Sequence, residues 1–257
     1  MSNPKVTLAA LQRMKQDRRK IVGVVVYDHQ MAQIADRAGV DIVSVGDSVG
    51  VNFWGHQSES EVTLDQMLLV CRAVRRGVSR ALVSCDVPVG ALQEGDDAAA
   101  RAATRLLQEG GADLVKIDAS AASAGVVRAV VHAGIPVWAQ FGAERAEPMT
   151  DPLVREAKRL EETGASLLDF RHSGPVAGPE AVRAVRIPVI GGLGGGPWLD
   201  GRVRSIVAAI GYLASAMDDA TERYANVAAT ALTAIQALCD DVRAGRQIRG
   251  APAARRS

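Results

Sequence analysis

The sequence has few cysteines, few aromatic residues, almost no net charge and no long apolar run. Its 3 cysteines are scattered along 257 residues, which argues against both a disulfide framework and a zinc site. Because 30 basic residues balance 29 acidic ones, we expect no nucleic-acid partner. No stretch of about 18 apolar residues is present, and the start of the chain is charged throughout, unlike a secretory signal. These absences predict a cytoplasmic protein that does not contact a membrane.

Apolar residues, in contrast, are plentiful, and at 48% of the chain they suffice for one sizeable core. Short β-branched runs alternate with longer Ala-rich amphipathic segments, which is typical of a parallel sheet covered by helices on both faces. Seven strand–helix units are visible, with strands at 21–27, 42–46, 81–86, 114–118, 136–140, 166–171 and 188–191. We expect an eighth strand near 208–213, because eight units close into an α/β fold of this length, the (β/α)8 TIM barrel.

Each link from a helix to the next strand contains a glycine, such as Gly39. This glycine lies at the end of the helix, where a left-handed backbone conformation is favoured. No linker rich in Pro, Gly or Ser interrupts the chain, so the whole of it, 1–257, is predicted to form a single domain. We expect an N-terminal helix or arm over 1–20, an additional C-terminal helix over 220–243 and a frayed tail over 245–257.

Ligand sites of such barrels lie at the carboxyl ends of the strands, which leaves few candidate residues. Four strand ends carry an aspartate: Asp47, Asp86, Asp118 and Asp169. One aspartate after a strand is usually a helix cap or a solvated loop residue, but four at equivalent ends would repel one another without a cation. Carboxylate oxygens suit Mg²⁺, and Asp47 and Asp86 are the strongest candidates because an apolar strand runs directly into each.

Three further features lie at the carboxyl ends of the predicted strands. Lys116 interrupts an apolar strand, so it forms either a structural ion pair or a contact with an anionic ligand. Ser48 could donate to that ligand or cap the following turn. The run GGLGGGP at 191–197 could cradle a phosphate or form a tight turn beside the site, and it lacks the Lys and Ser/Thr of a P-loop.

Short motifs extend along most of the chain, from about residue 22 to residue 209, and the most specific are GDS at 46–48 and VTLD at 62–65. The others are VYD (26–28), ADRAGVD (35–41), AVRRG (73–77), CDVP (85–88), GADLVK (111–116) and IPVIG (187–191). Together they resemble the ketopantoate hydroxymethyltransferase family. That family belongs to the phosphoenolpyruvate mutase/isocitrate lyase superfamily of Mg²⁺-dependent barrels that act on 2-oxo acids.

The resemblance implies transfer of a hydroxymethyl group from 5,10-methylenetetrahydrofolate to a 2-oxo acid such as 3-methyl-2-oxobutanoate, through a metal-stabilised enolate. It implies that Asp47 and Asp86 hold Mg²⁺, that Asp118 lies nearby in place of a family glutamate, and that Ser48 and Lys116 bind the substrate carboxylate. It also implies a large homo-oligomer. An apolar stripe on the C-terminal helix could serve that assembly or face the core, and it consists of Ala228, Leu232, Ile235 and Leu238.

The chain departs from the family pattern at three places. Arg171 stands where the family has its catalytic-base glutamate, and arginine cannot act as a base; Asp169 lies two residues earlier on the same strand face. Gln140 replaces the usual histidine, and segment 141–165 is short and lacks a Gly-Gly-Tyr-Lys-type loop. The candidate catalytic residues are therefore Asp169, Arg171 and Lys116, and the candidate substrate-binding residues are Ser48, Asp86, Lys116, Gln140 and Arg171.

Two other functions remain open from the sequence. The first is a Mg²⁺-dependent lyase, aldolase or decarboxylase reaction on a more highly charged 2-oxo acid, because Arg171 suits a second carboxylate or a phosphonate. The second is a non-catalytic barrel that serves as a binding or assembly subunit. A barrel of the second kind would have no affinity for Mg²⁺.

Overall fold

Eight parallel strands form a closed barrel in the computed structural model, which describes residues 4–120, 122, 125–142, 150–192 and 194–250. The strands are β1 (Ile21–Val26), β2 (Ile42–Val45), β3 (Leu82–Asp86), β4 (Leu114–Asp118), β5 (Val137–Gly142), β6 (Leu167–Arg171), β7 (Val189–Gly191) and β8 (Gly201–Ser205). Each strand pairs with its neighbours in the chain, and β8 pairs with β1. The predicted TIM-barrel fold is therefore confirmed.

Helices alternate with these strands. They are α1 (Leu8–Gln16), α2 (His29–Ala38), α3 (Leu64–Gly77), α4 (Val89–Gln93), α5 (Asp96–Gln108), α6 (Val126–His132), α7 (Thr150–Glu162), α8 (Ala177–Ala184), α9 (Ile206–Ala209) and α10 (Val227–Arg243). The predicted glycines at the helix-to-strand links all have positive φ, with 87° at Gly39, 78° at Gly111, 79° at Gly134 and 102° at Gly164. Each link therefore uses a conformation that glycine adopts without strain.

The eighth strand does not lie near 208–213, where the sequence pattern placed it. The strand that closes the barrel is β8 at Gly201–Ser205, and the predicted range begins within the short helix α9. Along β8 the side chains of Arg202 and Arg204 are exposed, whereas Val203 is buried. The prediction was wrong because it looked for a continuous apolar run, and this strand has only one apolar face.

Helix α1 closes the amino-terminal end of the barrel. Its residues Leu11 and Met14 pack in one apolar cluster with residues from all eight strands, namely Ile21, Ile42, Leu82, Leu114, Trp138, Leu167, Ile190 and Val203. Further along the strands, buried or half-buried polar residues follow: Ser44, Ser84, Lys116, Gln140 and Asp169. Because an apolar layer seals one end, this polar interior belongs to the carboxyl end of the barrel.

The described chain divides by its internal contacts into two compact units, one that ends at Ser205 and one that begins at Ile206. In the second unit, the Asn226 side chain accepts a hydrogen bond from the Ala229 N–H and donates to the Ala216 carbonyl. Helix α10 therefore begins after this cap and not at the predicted residue 220. Among the described residues, no helix combines the length and the apolar character that a membrane crossing requires.

Candidate active site

Asp47 and Asp86 lie close together at the carboxyl ends of β2 and β3. β3 ends at Asp86, and only Gly46 separates Asp47 from the end of β2. Burial raises the pKa of Asp47 to about 8, and the negative charges of Asp86 and Glu59 add to the effect. Burial also raises the pKa of Asp86, to about 6, against the opposing charge of Lys116. Oxygen Oδ1 of Asp86 is buried without a hydrogen-bond partner, so this pair has unused capacity for a cation.

Lys116 is the centre of a buried polar network on the neighbouring strands. Its Nζ lies 3.2 Å from Asp169 Oδ2 and donates to Gln140 Oε1 at 2.5 Å. Burial acts to lower the pKa of Lys116, but the carboxylates of Asp86, Asp169 and Asp47 outweigh it and raise that pKa. The ammonium therefore stays charged inside the barrel. Asp169, which is itself buried, keeps its Oδ1 without a hydrogen-bond partner, so only one oxygen of this carboxylate is used by the ion pair.

Asp118 has hydrogen-bond partners on both of its oxygens. The backbone N–H and the hydroxyl of Ser120 donate to Oδ1 at 2.9 and 2.5 Å, and Gln140 Nε2 donates to Oδ2 at 3.0 Å. Arg171 completes the set at 3.4 Å from Oδ2. Burial acts to raise the pKa of Asp118, but these hydrogen bonds, with the charges of Arg171 and Lys116, lower it. Asp118 is thus an anionic anchor for Arg171.

The aspartates do not form a three-residue metal centre. Within the described part of the chain, no group of three or more His, Cys, Asp or Glu side chains is arranged to hold a metal ion. Asp47 and Asp86 are brought together, whereas Asp118 is engaged by Ser120, Gln140 and Arg171. Any cation here would therefore take protein ligands from Asp47 and Asp86 and complete its shell with substrate and water oxygens.

The hydroxyl of Ser48 lies at the same rim. It is 2.9 Å from the phenol oxygen of Tyr27, which in turn accepts a hydrogen bond from Asn52 Nδ2 at 2.9 Å. The sequence pattern predicted none of Tyr27, Asn52 and Glu59 as a site residue. Tyr27 could have been found, because it directly follows β1 at the edge where ligands bind.

Gly196 of the glycine run at 191–197 packs closely against Trp198. An added Cβ on Gly196, or on Gly178 of α8, would lie 2.3 Å from atoms of the Trp198 ring. Arg202 donates to the carbonyls of Gly191 and Gly192, each at 3.0 Å. These contacts favour the tight turn over the phosphate cradle. Residue 193 of this run lies outside the described residues, as do residues 143–149 of the short segment between β5 and β6.

The chain matches a known protein family over most of its length. A family model described as ketopantoate hydroxymethyltransferase matches residues 5–247. The chain is 35% identical over 252 residues to the 3-methyl-2-oxobutanoate hydroxymethyltransferase of Cyanothece sp., which covers 92% of this chain and 96% of that protein. It is 34% identical over 253 residues to the protein of the same name from Cytophaga hutchinsonii, with 93% of each chain covered.

Solved structures with the same fold come from other enzymes. The chain is similar to 2,3-dimethylmalate lyase, a member of the PEP mutase/isocitrate lyase superfamily, with a TM-score of 0.63 and 15% identity over 97% of this chain and 93% of that one. It is similar to oxaloacetate acetylhydrolase with a TM-score of 0.65 and 14% identity over 97% and 91% of the two chains. At these identities the likeness establishes the barrel architecture.

Proposed function

Since the chain belongs to the ketopantoate hydroxymethyltransferase family, whose enzymes transfer a hydroxymethyl group to a 2-oxo acid, we propose that it binds Mg²⁺ and uses 5,10-methylenetetrahydrofolate as the one-carbon donor. The substrate we propose is 3-methyl-2-oxobutanoate. The observation that carries this proposal is the half-buried pair of Asp47 and Asp86 at the ends of neighbouring strands, in which Asp86 Oδ1 has no hydrogen-bond partner.

The residues present fit a magnesium ion. Asp47 and Asp86 would hold it through carboxylate oxygens, and the unpartnered Oδ1 of Asp86 is one oxygen available for this. Asp118, whose oxygens are already engaged, would contribute through a bridging water. When bound, the ion supplies Lewis-acid stabilisation of the negative charge that develops on the keto oxygen.

Lys116 and Ser48 would bind the carboxylate of the 2-oxo acid. Lys116 is charged and nearly enclosed, with 15% of its side chain exposed, so an anion beside it would be little screened by water. Ser48 follows Asp47 directly and can donate a hydrogen bond to the same group. Gln140 holds the Lys116 ammonium through Oε1 and would keep it directed at the substrate.

Asp169 would act as the base. Its Oδ1 has no partner, while Oδ2 stays paired with Lys116, so the open oxygen can accept the proton from C3 of the substrate. The electron pair left at C3 forms the new C–C bond to the one-carbon unit, and water supplies the hydroxyl oxygen, while the two C–N bonds that join this unit to the folate break. Tetrahydrofolate gains its two protons, one from that water and one from the Asp169 carboxyl.

The test is proton exchange at C3 of 3-methyl-2-oxobutanoate in D₂O, followed by NMR, and hydroxymethyl transfer with methylenetetrahydrofolate. We expect both to depend on Mg²⁺ and to fall by at least about 100-fold in Asp47→Asn. The matched control is Asp65→Asn, at an aspartate whose side chain is 82% exposed, and it should behave as the wild type. Absence of both exchange and transfer in the wild-type protein would refute the proposal.

A second candidate reaction is suggested by Arg171. Its guanidinium occupies the site beside Asp118, with 34% of its side chain exposed, and its other N–H donors suit a second acid group on the substrate. The alternative is a C–C lyase or decarboxylase reaction on a 2-oxo dicarboxylate. Under this alternative, Arg171→Ala would abolish turnover of the dicarboxylate; under the main proposal, the wild-type protein would turn over only the monocarboxylate.

We also propose that the protein forms a homo-oligomer through α10. The apolar stripe predicted on this helix is exposed: Leu232, Ile235 and Leu238 are between 44 and 58% exposed, and Val242 continues the row at 55%. Residues at this spacing lie on one face of a helix. A contiguous exposed apolar row of this kind is typical of a surface that is covered in the assembled protein.

A further inference from the structure

The hydroxyl of Ser48 belongs to a chain of three hydrogen-bonded side chains whose direction follows from their chemistry and their burial. Asn52 Nδ2 lies 2.9 Å from the Tyr27 phenol oxygen, and that oxygen lies 2.9 Å from Ser48 Oγ. An amide nitrogen can only donate, so the Tyr27 oxygen is the acceptor from Asn52. Among the described residues, no third partner contacts the phenol oxygen. Because Tyr27 is buried and Ser48 is only half-buried, a hydrogen left without an acceptor costs more on the phenol than on the Ser48 hydroxyl. The phenol hydrogen is therefore assigned to Ser48 Oγ.

The consequence is that Ser48 accepts within this chain and keeps its own hydrogen for another acceptor. Among the described residues, no contact takes that hydrogen, and the hydroxyl lies on the side of Gly46 that faces the Asp86 carboxylate. Both Ser48 Oγ, at 3.0 Å, and Asp86 Oδ2, at 3.8 Å, are within 4 Å of the point that a Cβ on Gly46 would occupy. The hydroxyl thus presents a donor to the space beside the carboxylate pair.

The local sequence builds this arrangement. Directly after Ser48 the chain forms one π-helical turn, Gly50–Trp54, which carries Asn52, and turns of this kind are frequent at functional sites. The turn requires glycine at its start, because a Cβ on Gly50 would lie 2.5 Å from Val62 Cγ2. Phe53 packs its ring edge against Tyr27 with ring centroids 5.1 Å apart, which holds the phenol in place.

We propose that Tyr27 and Asn52 are positioning residues that make Ser48 an obligatory hydrogen-bond donor to the carboxylate of the 2-oxo acid. The inference rests on the proposed function, since it takes the 2-oxo acid as the ligand. With the opposite direction of the chain, Ser48 would present lone pairs to an anion and repel it. The hydrogen-bonded side chains of Asn52, Tyr27 and Ser48 therefore select for a carboxylate. We expect them to affect substrate binding and not the chemical step.

The experiment compares Tyr27→Phe and Asn52→Asp in the wild-type and Ser48→Ala backgrounds. Asn52→Asp is nearly isosteric but can only accept, so it captures the phenol hydrogen and makes Ser48 donate to Tyr27. Because a hydrogen bond to a charged group is lost in Asn52→Asp, we expect KM for 3-methyl-2-oxobutanoate to rise about 10- to 100-fold in that variant. In Tyr27→Phe, Ser48 keeps its hydrogen but loses the group that orients it, so KM should rise about 3- to 10-fold. In both variants kcat should change less than about threefold. In the Ser48→Ala background, neither change should raise KM further.

Binding of oxalate with Mg²⁺, measured by calorimetry, gives a readout that needs no turnover. Oxalate carries the same carboxylate and should bind about 10- to 100-fold more weakly to Asn52→Asp and about 3- to 10-fold more weakly to Tyr27→Phe. Thermal melting checks that each variant is folded. Equal losses with and without Ser48, or oxalate affinities within about twofold of the wild type, would overturn the inference.

The two proposals fail in different ways. If the wild-type protein shows no C3 exchange or transfer but oxalate binding still depends on Tyr27 and Asn52, the proposed reaction is wrong and the positioning inference stands. If the wild-type protein is active and the variants bind and turn over substrate normally, the inference is wrong and the reaction stands. If oxalate does not bind to the wild-type protein at all, the inference is refuted directly.

Discussion

Two half-buried carboxylates placed side by side are unstable as a pair of anions, and this sets the behaviour of Asp47 and Asp86. Both side chains lose water on burial, and the charges of Asp86 and Glu59 act against ionisation of Asp47. Lys116 offsets part of the negative charge, and it shares its own charge with Asp169. One cation does not balance three carboxylates, so a proton or a divalent ion has to make up the difference.

The stability of the metal-free protein should therefore fall as the pH rises. The folded-state pKa of Asp47, about 8, lies above its usual value of 3.8, so the folded protein binds a proton that the unfolded chain releases. This stabilisation is complete below the unfolded pKa and is lost as the pH rises through the folded pKa. In EDTA we expect roughly 1–2 kcal/mol to be lost between about pH 6 and about pH 8, or about 2–8 °C in Tm.

Asp47→Asn supplies the control for this pH effect, because the amide resembles the protonated acid. Its Tm in EDTA should change much less over the same range, and added Mg²⁺ should raise the Tm of the wild-type protein at the higher pH but not that of the variant. A wild-type Tm that is constant or rises with pH in EDTA would contradict the assignment of the buried proton to this pair.

Asp169→Asn should reduce proton exchange at C3 without weakening substrate binding, if Asp169 is the base. The amide keeps an oxygen that can accept from Lys116 but cannot take a proton from C3, so exchange should fall by about 10²- to 10⁴-fold. Oxalate binding with Mg²⁺ should stay within about threefold of the wild type, since the charge of Lys116 remains. Asp118→Asn is the comparison, because Asp118 has partners on both oxygens and takes no proton from the substrate, so exchange should fall much less in it than in Asp169→Asn. Exchange that survives in Asp169→Asn would exclude Asp169 as the base.

The sequence predicted which residue types line the site better than it predicted their contacts. Strand-end position alone brought Asp47, Asp86 and Lys116 to one region, because parallel strands end at the same rim. The pairing of Lys116 with Asp169, two strands away in the barrel, depends on which side chains meet across the interior. No spacing in one strand contains that information, and the same holds for the contact between Asn52 and Tyr27.

At the scale of elements, the turn from β7 to β8 depends on a narrow space between two glycines that holds one aromatic ring. Trp198 lies between Gly196 of this turn and Gly178 of α8, and its indole N–H donates to the buried Ser173 hydroxyl at 2.9 Å. Glycine is required on both sides because any Cβ would overlap the ring. The packing of Trp198 between the two glycines joins the turn to α8 and thereby restricts where β8 can begin.

Gly196→Ala should therefore destabilise the protein. An added methyl 2.3 Å from ring atoms forces the turn or the ring to move, which costs about 1–3 kcal/mol and lowers Tm by about 2–12 °C. In a Trp198→Ala background the same substitution should cost almost nothing, because the ring that it strikes is gone. An equal loss in both backgrounds would show that the backbone of the turn, and not the ring, requires glycine.

The strands differ in how clearly the sequence pattern predicts them. β1 to β7 appear as apolar runs because helices cover them outside and the barrel interior faces them within. β8 was missed because Arg202 and Arg204 face outward, and Arg202 is used to hold the Gly191 and Gly192 carbonyls. The start of α10 was placed too early because the Asn226 cap depends on the Ala216 carbonyl, which periodicity does not report.

At the scale of the whole molecule, the barrel is divided by polarity along its axis. α1 and the first residues of the strands form an apolar plug, and the polar residues lie towards the carboxyl end. The buried ion pair of Lys116 and Asp169 would be costly in a uniform apolar core. It is tolerated here because Gln140 and the neighbouring carboxylates satisfy it, which means that the site and the fold are stabilised by the same contacts.

Assembly of the whole molecule is tested at α10. If the exposed row that contains Ile235 and Leu238 is the contact with a second copy, light scattering after size-exclusion chromatography should give a multiple of the chain mass. Ile235→Asp would bury an unpaired charge in that contact and should release smaller species with an unchanged barrel, as judged by Mg²⁺-dependent oxalate binding. Gln236→Asp, at an exposed neighbour on a different face, should leave the assembly intact. A wild-type protein that stays monomeric at micromolar concentration would show that this row is not an interface between copies.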